Sequence, residues 1–362
     1  IANFDQGLEF KPDDYQVWYS RGVALSILGR LEAGIESFDQ AVKIKSDLYQ
    51  AWYNRGISLW DLGNLEAAIE SYDQALKFKP DHHQACYNRG IALSDLGLNH
   101  AAIASYDKAV KIKPDYHQAW YKRGVALRKL GRNQEAIESF YQALTFKPDD
   151  HDAWNNLGIA LSNLGRNKAA IDSFDQALKI KPDLHQAWNN LGIALSNLGG
   201  NEAAIESFDQ ALKIKPDFQQ AWNNRGIALW KLGQNQEAID SYDQALKIKP
   251  DYHEAWNNQG VALLDLGRNK AAIACYDQAL KIKPDDHQAW YNKACFYALQ
   301  GNVDLALDNL QQAITLNPEE YREMAKTDSD FDTIRSDQRF EALIDIKSGI
   351  LESWESGVGS RK

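Results

Sequence analysis

Small and apolar residues recur along the chain at helical spacing, and the whole pattern returns every 34 residues. In the stretch 151–184, Trp154, Gly158 and Leu161 fall on one stripe when successive residues are turned by ~100°. Ala153, Leu157, Ala160 and Leu164 widen that stripe. A second amphipathic run carries Ala170, Phe174 and Ala177. These two runs predict a pair of helices, A and B, and Gly165 between them supplies a left-handed stop for the first. Period-two alternation, the mark of a strand, occurs nowhere, so the chain reads as all-α.

The repetition fixes the organisation. Trp18, Trp52, Trp120, Trp154, Trp188, Trp222, Trp256 and Trp290 lie on one lattice that only Cys86 interrupts. Gly follows four residues later in every unit but the last, which has Ala294, and a second Gly follows seven after that. Every Pro occupies one phase, with Ser46 the exception. Numbered from three residues before each Trp, complete units run from 15–48 to 287–320. A strict period of this length predicts stacked supersecondary units rather than separate globular domains. An Asp after the Pro of nearly every unit, with Gln or Glu three later in most (Asp183 with Gln186, Asp251 with Glu254), predicts a capping box at the start of helix A. Helix B ends in Lys-Ile-Lys-Pro or a variant, placing cations at the negative end of its dipole.

The pattern W-x2-L-G, followed by Ala, Phe or Tyr, Ala and Pro, resembles the tetratricopeptide repeat across 15–320. That resemblance implies a right-handed α-solenoid of antiparallel helix pairs, with helix A lining a concave groove. Arg replaces the Leu before Gly in several units (Arg21, Arg55, Arg225), and Leu25 and Leu161 replace the family's Tyr. The copies spelled AWNNLGIALSNLG also resemble the repeat superhelix of O-linked N-acetylglucosamine transferases.

Outside the lattice, 1–14 aligns with the second half of a further unit, and its open apolar flank is expected to allow end-to-end self-association. Residues 321–346 are expected to form a helical cap, built from EEYREMAK, DFDTIR and QRFEALIDI, and 347–362, with Trp354, to be a flexible tail. The formal net charge of −10 opposes nonspecific binding to nucleic acid or anionic membranes. With no apolar run near 18 residues and only 3 Cys, the expectation is a cytoplasmic protein that inserts in no membrane.

No catalytic centre, cofactor or metal site is expected. Asp328, Asp330 and Asp332 open like a calcium loop, but Thr333 and Arg339 stand where Gly and a bidentate Glu are needed, leaving a solvated acidic turn or helix cap. His83, His117, His151, His185, His253 and His287 share one phase and read as first-turn surface residues, too far apart for a shared zinc. Cys275 and Cys295 read as reduced thiols within reach of each other. Paired carboxylates such as Glu36 with Asp39 recur too often to be catalytic and read as a charged face.

Positions 2, 6, 9 and 13 of each unit lie opposite the packing stripe of helix A, and 5 and 12 flank them. Position 6 is Asn54, Asn88, Asn156, Asn190, Asn224, Asn258 and Asn292, although Asn is a mediocre helix former. A carboxamide suits the alternating N–H and C=O of an extended polypeptide, and the transferase resemblance implies that role for these seven. Helices spaced 8–10 Å apart would meet an extended chain about once per three of its residues. The alternatives are passive duplication or bonds between neighbouring helices. Lys122 breaks the row, with Arg128 and Lys129 making a basic spot or, equally, scattered solvated charge. Tyr53, Tyr87 and Tyr121 at position 5, with Trp60 and Trp230 at position 12, are expected aromatic anchors. A chaperone-type carboxylate clamp is disfavoured, because position 9 is apolar, as in Val125 and Ile159.

The resulting expectation is a noncatalytic scaffold that holds an extended or helical polypeptide segment in its groove. Alternatives are a regulatory arm of a larger kinase, protease or nucleotide-driven enzyme, and a self-assembly module.

Overall fold

The structure, a computed structural model, describes residues 1–345; Trp354 and the expected tail lie outside them. The described residues contain α-helices and one short 3-10 turn, with no strand. Two compact units, Ile1–Ala194 and Leu195–Lys362, divide the chain. Each is a solenoid of helix pairs in which neighbours in sequence are neighbours in space.

In Ile1–Ala194, helix A has 13 residues, as in His151–Asn163, and helix B has 14, as in Asn167–Ile180. Between them Gly165 takes φ +71°, the left-handed conformation expected of it. Leu164 is the C-cap residue and is 41% exposed, so the packing stripe ends at Leu161 rather than extending to Leu164. The Gly at position 8 has a different reason. A Cβ on Gly158 would sit 2.5 Å from Cε1 of Phe174, so helix B's aromatic ring lies against the bare backbone of helix A.

The expected capping box is off by one residue. The Asp149 N–H lies within a turn closed by Asp150 N–H donating to the Lys147 carbonyl at 3.3 Å, so Pro148 and Asp149 form the turn's two central residues. The chain then leaves extended, and the next residue caps: Asp150 Oδ1 accepts from Ala153 N–H at 3.1 Å. Asp14 caps in the same way, and His82 does so through Nδ1. Asp251, one of the residues expected to cap, precedes Tyr252, the true N-cap, which makes no side-chain bond. The turn is locked from above by tryptophan. Trp154 Nε1 donates to the Pro148 carbonyl at 2.9 Å, Trp120 to that of Pro114, and Trp52 to that of Ser46. Tryptophan and proline thus belong to one device, six residues apart.

At the amino end the helix Ala2–Phe10 buries Leu8 and leaves Phe10 81% exposed.

In Leu195–Lys362 the same pairing holds, and one change compensates another. Ala294 stands where other units have Gly, and buried Leu310 stands where they have an aromatic ring, so the extra methyl finds room. Beyond this pair the helices Pro318–Thr327 and Gln338–Asp345 flank the 3-10 turn Ser329–Phe331. Tyr321, Phe331, Ile334 and Phe340 bury themselves against the last pair.

Candidate functional site

The asparagine row is tied together. In Ile1–Ala194, Asn54 Nδ2 donates to Tyr19 Oη at 3.0 Å, Asn88 to Tyr53 Oη at 3.1 Å and Asn156 to Tyr121 Oη at 3.3 Å. Asn190 donates to Asn155 Oδ1 at 3.1 Å. In Leu195–Lys362, Asn258 donates to Asn223 and Asn292 to Asn257. Position 6 therefore bonds position 5 of the preceding unit, whether that residue is Tyr or Asn. Asn224 is half-buried on its helix and engaged as well. The bond between neighbouring helices, one of the alternatives weighed from sequence, is real. It also orients each carboxamide, directing the N–H side to the neighbour and leaving the oxygen as an acceptor.

The tyrosines are bridging residues more than free anchors. Tyr53, Tyr87 and Tyr121 are half-buried, each with its ring centroid 6.1 Å from that of a helix-B aromatic. Burial raises the Tyr53 hydroxyl pKa, and the Asn88 bond opposes the rise. Trp60 is more open at 38% exposure, and its Nε1 donates to Asp95 Oδ2 at 2.9 Å. Trp230 does the same to Asp265 at 2.7 Å. A Trp at position 12 is thus matched by an Asp at position 13 of the next unit. Ile57, Trp60, Tyr72, Asn88 and Ile91 enclose an apolar pocket of about 120 Å³.

At the basic spot, Lys122 is exposed and lies 5.9 Å from the ring centroid of Tyr121, its neighbour in the same helix. Lys129 is exposed; Arg128 is half-buried, its Nε without a partner among the described residues. Burial lifts the Tyr121 hydroxyl to about 12, Asp152 and Asp150 add to the rise, and the Arg128 guanidinium counters it. Lys122 and Lys129 are both exposed, whereas the Arg128 guanidinium has its Nε out of solvent.

Sequence reasoning passed over a second network. Arg55 Nε meets Asp39 Oδ1 of the preceding helix B at 2.6 Å while its Nη1 donates to Ser71 Oγ. Arg21, Arg89, Arg123 and Arg225 repeat the clamp. The signal was present, since each such Arg follows its Asp by 16 residues. The carboxylates read as a solvated charged face therefore join neighbouring units. The in-phase histidines also differ from expectation. His83, His253 and His287 are half-buried contacts between units: His83 packs edge-on against Tyr116, His253 Nδ1 lies 2.7 Å from Asp286 Oδ2, and His287 Nδ1 lies 2.6 Å from Tyr321 Oη. A first-turn side chain points toward the next helix pair, which covers it.

The acidic turn is not fully solvated either. Asp328 caps the 3-10 turn through Oδ1, and its Oδ2 accepts from Tyr291 Oη at 2.8 Å. Cys275 and Cys295 are buried free thiols. Ligand atoms of Cys295, Asp328 and Asp330 lie within 4.8 Å of one another. Three donors, one of them a thiol whose pKa burial raises strongly, fall short of a closed metal site.

Residues 87–151, 189–253 and 254–321 match one tetratricopeptide repeat family, 49–82 and 151–184 a second, and 15–48 a third. The chain belongs to the tetratricopeptide repeat family. Its fold is similar to that of a tetratricopeptide repeat protein from Parabacteroides merdae, with TM-score 0.55 and 18% identity over 72% of this chain and 98% of that one. It is also similar to the APC/C hetero-tetramer Cut9–Hcn1, with TM-score 0.55 and 15% identity over 90% of this chain and 80% of that one. PilF of Pseudomonas aeruginosa aligns over 59% of this chain and 97% of its own, with TM-score 0.50 and 18% identity. None of the curated proteins matches. The tetratricopeptide architecture is that of a protein-interaction scaffold. Among the described residues no helix is long and apolar enough to cross a membrane.

Proposed function

We propose that the helix-A face bearing positions 2, 6, 9 and 13 binds an extended polypeptide segment, and that the protein acts as a noncatalytic scaffold. The observation that carries this reading is the oriented asparagine row. Each carboxamide is held by a neighbour before any ligand arrives, so less side-chain freedom is lost on binding. The acceptor oxygens recur at the repeat spacing and can take backbone N–H groups of an extended chain about every third residue. Beside them, the apolar pocket at Trp60 and Ile91 suits one aliphatic or aromatic side chain. Lys122, Arg128 and Lys129 favour acidic groups on the same ligand segment.

Because the asparagines also join helices, their removal would confuse folding with binding. Trp60 is the better target. Panning a random 15-residue peptide display library on the full chain is expected to enrich extended sequences with a recurrent apolar residue. Trp60→Ala should weaken those peptides about 10-fold while the helical circular dichroism stays unchanged. Peptides that bind the variant equally well, or that protect helix-B amides instead of helix-A amides in hydrogen exchange, would refute the groove.

A further inference from the structure

Within Leu195–Lys362, the same helix-A face ends in a second and larger pocket of about 490 Å³. Asp265, Glu320, Asp328 and Asp330 line it, and among the described residues no Lys or Arg does. The nearby cation is occupied: Arg335 donates to the Ala325 and Asp328 carbonyls and to the Asp332 carboxylate. Tyr276, fully buried, reaches the same pocket with a hydroxyl that has no hydrogen-bond partner among the described residues. Trp230, Tyr291 and Tyr321 supply aromatic walls, the last two with ring centroids 4.8 Å apart.

We propose that this pocket receives the guanidinium group of an arginine side chain carried by the polypeptide in the groove. The inference rests on the groove reading above and adds a residue preference to it. The chemistry is complementary on each count. A guanidinium brings five N–H donors in one plane, which suit the Asp330 and Asp328 carboxylates together with the Tyr276 oxygen. Its faces stack on aromatic rings, and Trp is the strongest such partner. Negative charge is in excess here before any ligand binds. Burial raises the Asp330 carboxyl, and Asp328 beside it raises it further. The Cys295 thiol is pushed far up by burial and then by the same two carboxylates, so it stays a neutral donor. A cation entering this space relieves a repulsion that the folded chain sustains by itself.

The test uses the full chain and a small probe, Nα-acetyl-arginine methylamide, followed by NMR at the Trp230 indole N–H. A saturable shift is expected, with none from the norleucine analogue. Asp330→Asn, which removes charge from a crowded site and leaves the Asp328 cap intact, should raise the probe's dissociation constant about 10-fold with the melting temperature held or increased. No saturable shift, an unchanged constant in the variant, or micromolar binding of Zn²⁺ alone without response to the arginine probe would overturn the proposal. The probe needs no extended polypeptide. Arginine binding without any library peptide would therefore fail the groove alone, and peptide binding without an arginine response would fail the pocket alone.

Discussion

Asp175 shows how much a single residue owes to its neighbour 16 positions on. Where Arg55 clamps Asp39, the corresponding partner of Asp175 is Leu191. The carboxyl is accordingly raised, first by burial, with Lys179 lowering it and Asp172 raising it. One unit earlier the mismatch is absent, because Leu157 is matched by Tyr141. A carboxyl raised in the folded state favours folding only below its unfolded pKa, and that contribution disappears as pH rises through the folded value. Asp175 therefore works against the fold at neutral pH. Leu191→Arg should reverse the sign, bringing the Asp175 pKa below the ordinary carboxylate value. The stabilisation would then be present above the unfolded pKa and lost as pH falls through the folded one. NMR titration of the Asp175 carboxyl checks the direction. Urea melts at pH 7 and pH 3 should differ by about 0.5 kcal/mol more in the variant, the scale of an exposed pair. An unshifted carboxyl would show that the 16-residue register does not extend to this junction.

At the scale of the helix, the start of helix A depends on one residue of the Lys-Pro-Asp-x turn. Asp150 makes the capping bond and Asp149 holds an interior turn position. Asp150→Ala should cost about 1 kcal/mol, and Asp149→Ala should stay within about 0.5 kcal/mol of wild type. Equal losses by thermal melting would return the capping role to Asp149. The displacement also shows what sequence can reach. The 34-residue phase, the helices and the left-handed stops at Gly165 and its equivalents were legible, because backbone geometry admits few residues there. The cap was misplaced by one because Asp suits both an N-cap and the turn before it, and composition does not separate the two. The asparagine row was legible as a row, but its partners were not. Tyr53 and Asn155 differ in every local property and share only a hydroxyl or amide oxygen at the right height.

Across Ile1–Ala194 as a body, stability should follow the rule for stacked units, a sum of unit and nearest-neighbour terms. The junction before helix His83–Asp95 is then the weak one. Elsewhere in this body a half-buried tryptophan packs on the preceding helix B and bonds the turn carbonyl; here Cys86 is buried among Val110, Ala109 and Trp120 and leaves the Pro80 carbonyl without that bond. Burial raises the Cys86 thiol pKa, so the substitution brings no reactive nucleophile in exchange. Cys86→Trp should restore the device. The gain combines added apolar burial with one hydrogen bond to Pro80, about 1–2 kcal/mol together. The urea midpoint should rise with the slope unchanged, and amides of helix His83–Asp95 should slow in hydrogen exchange more than those of helix His151–Asn163. A lowered midpoint would mean that the neighbours of Cys86 have closed over the space an indole needs. The weak unit would then be a settled repacking rather than an interrupted repeat.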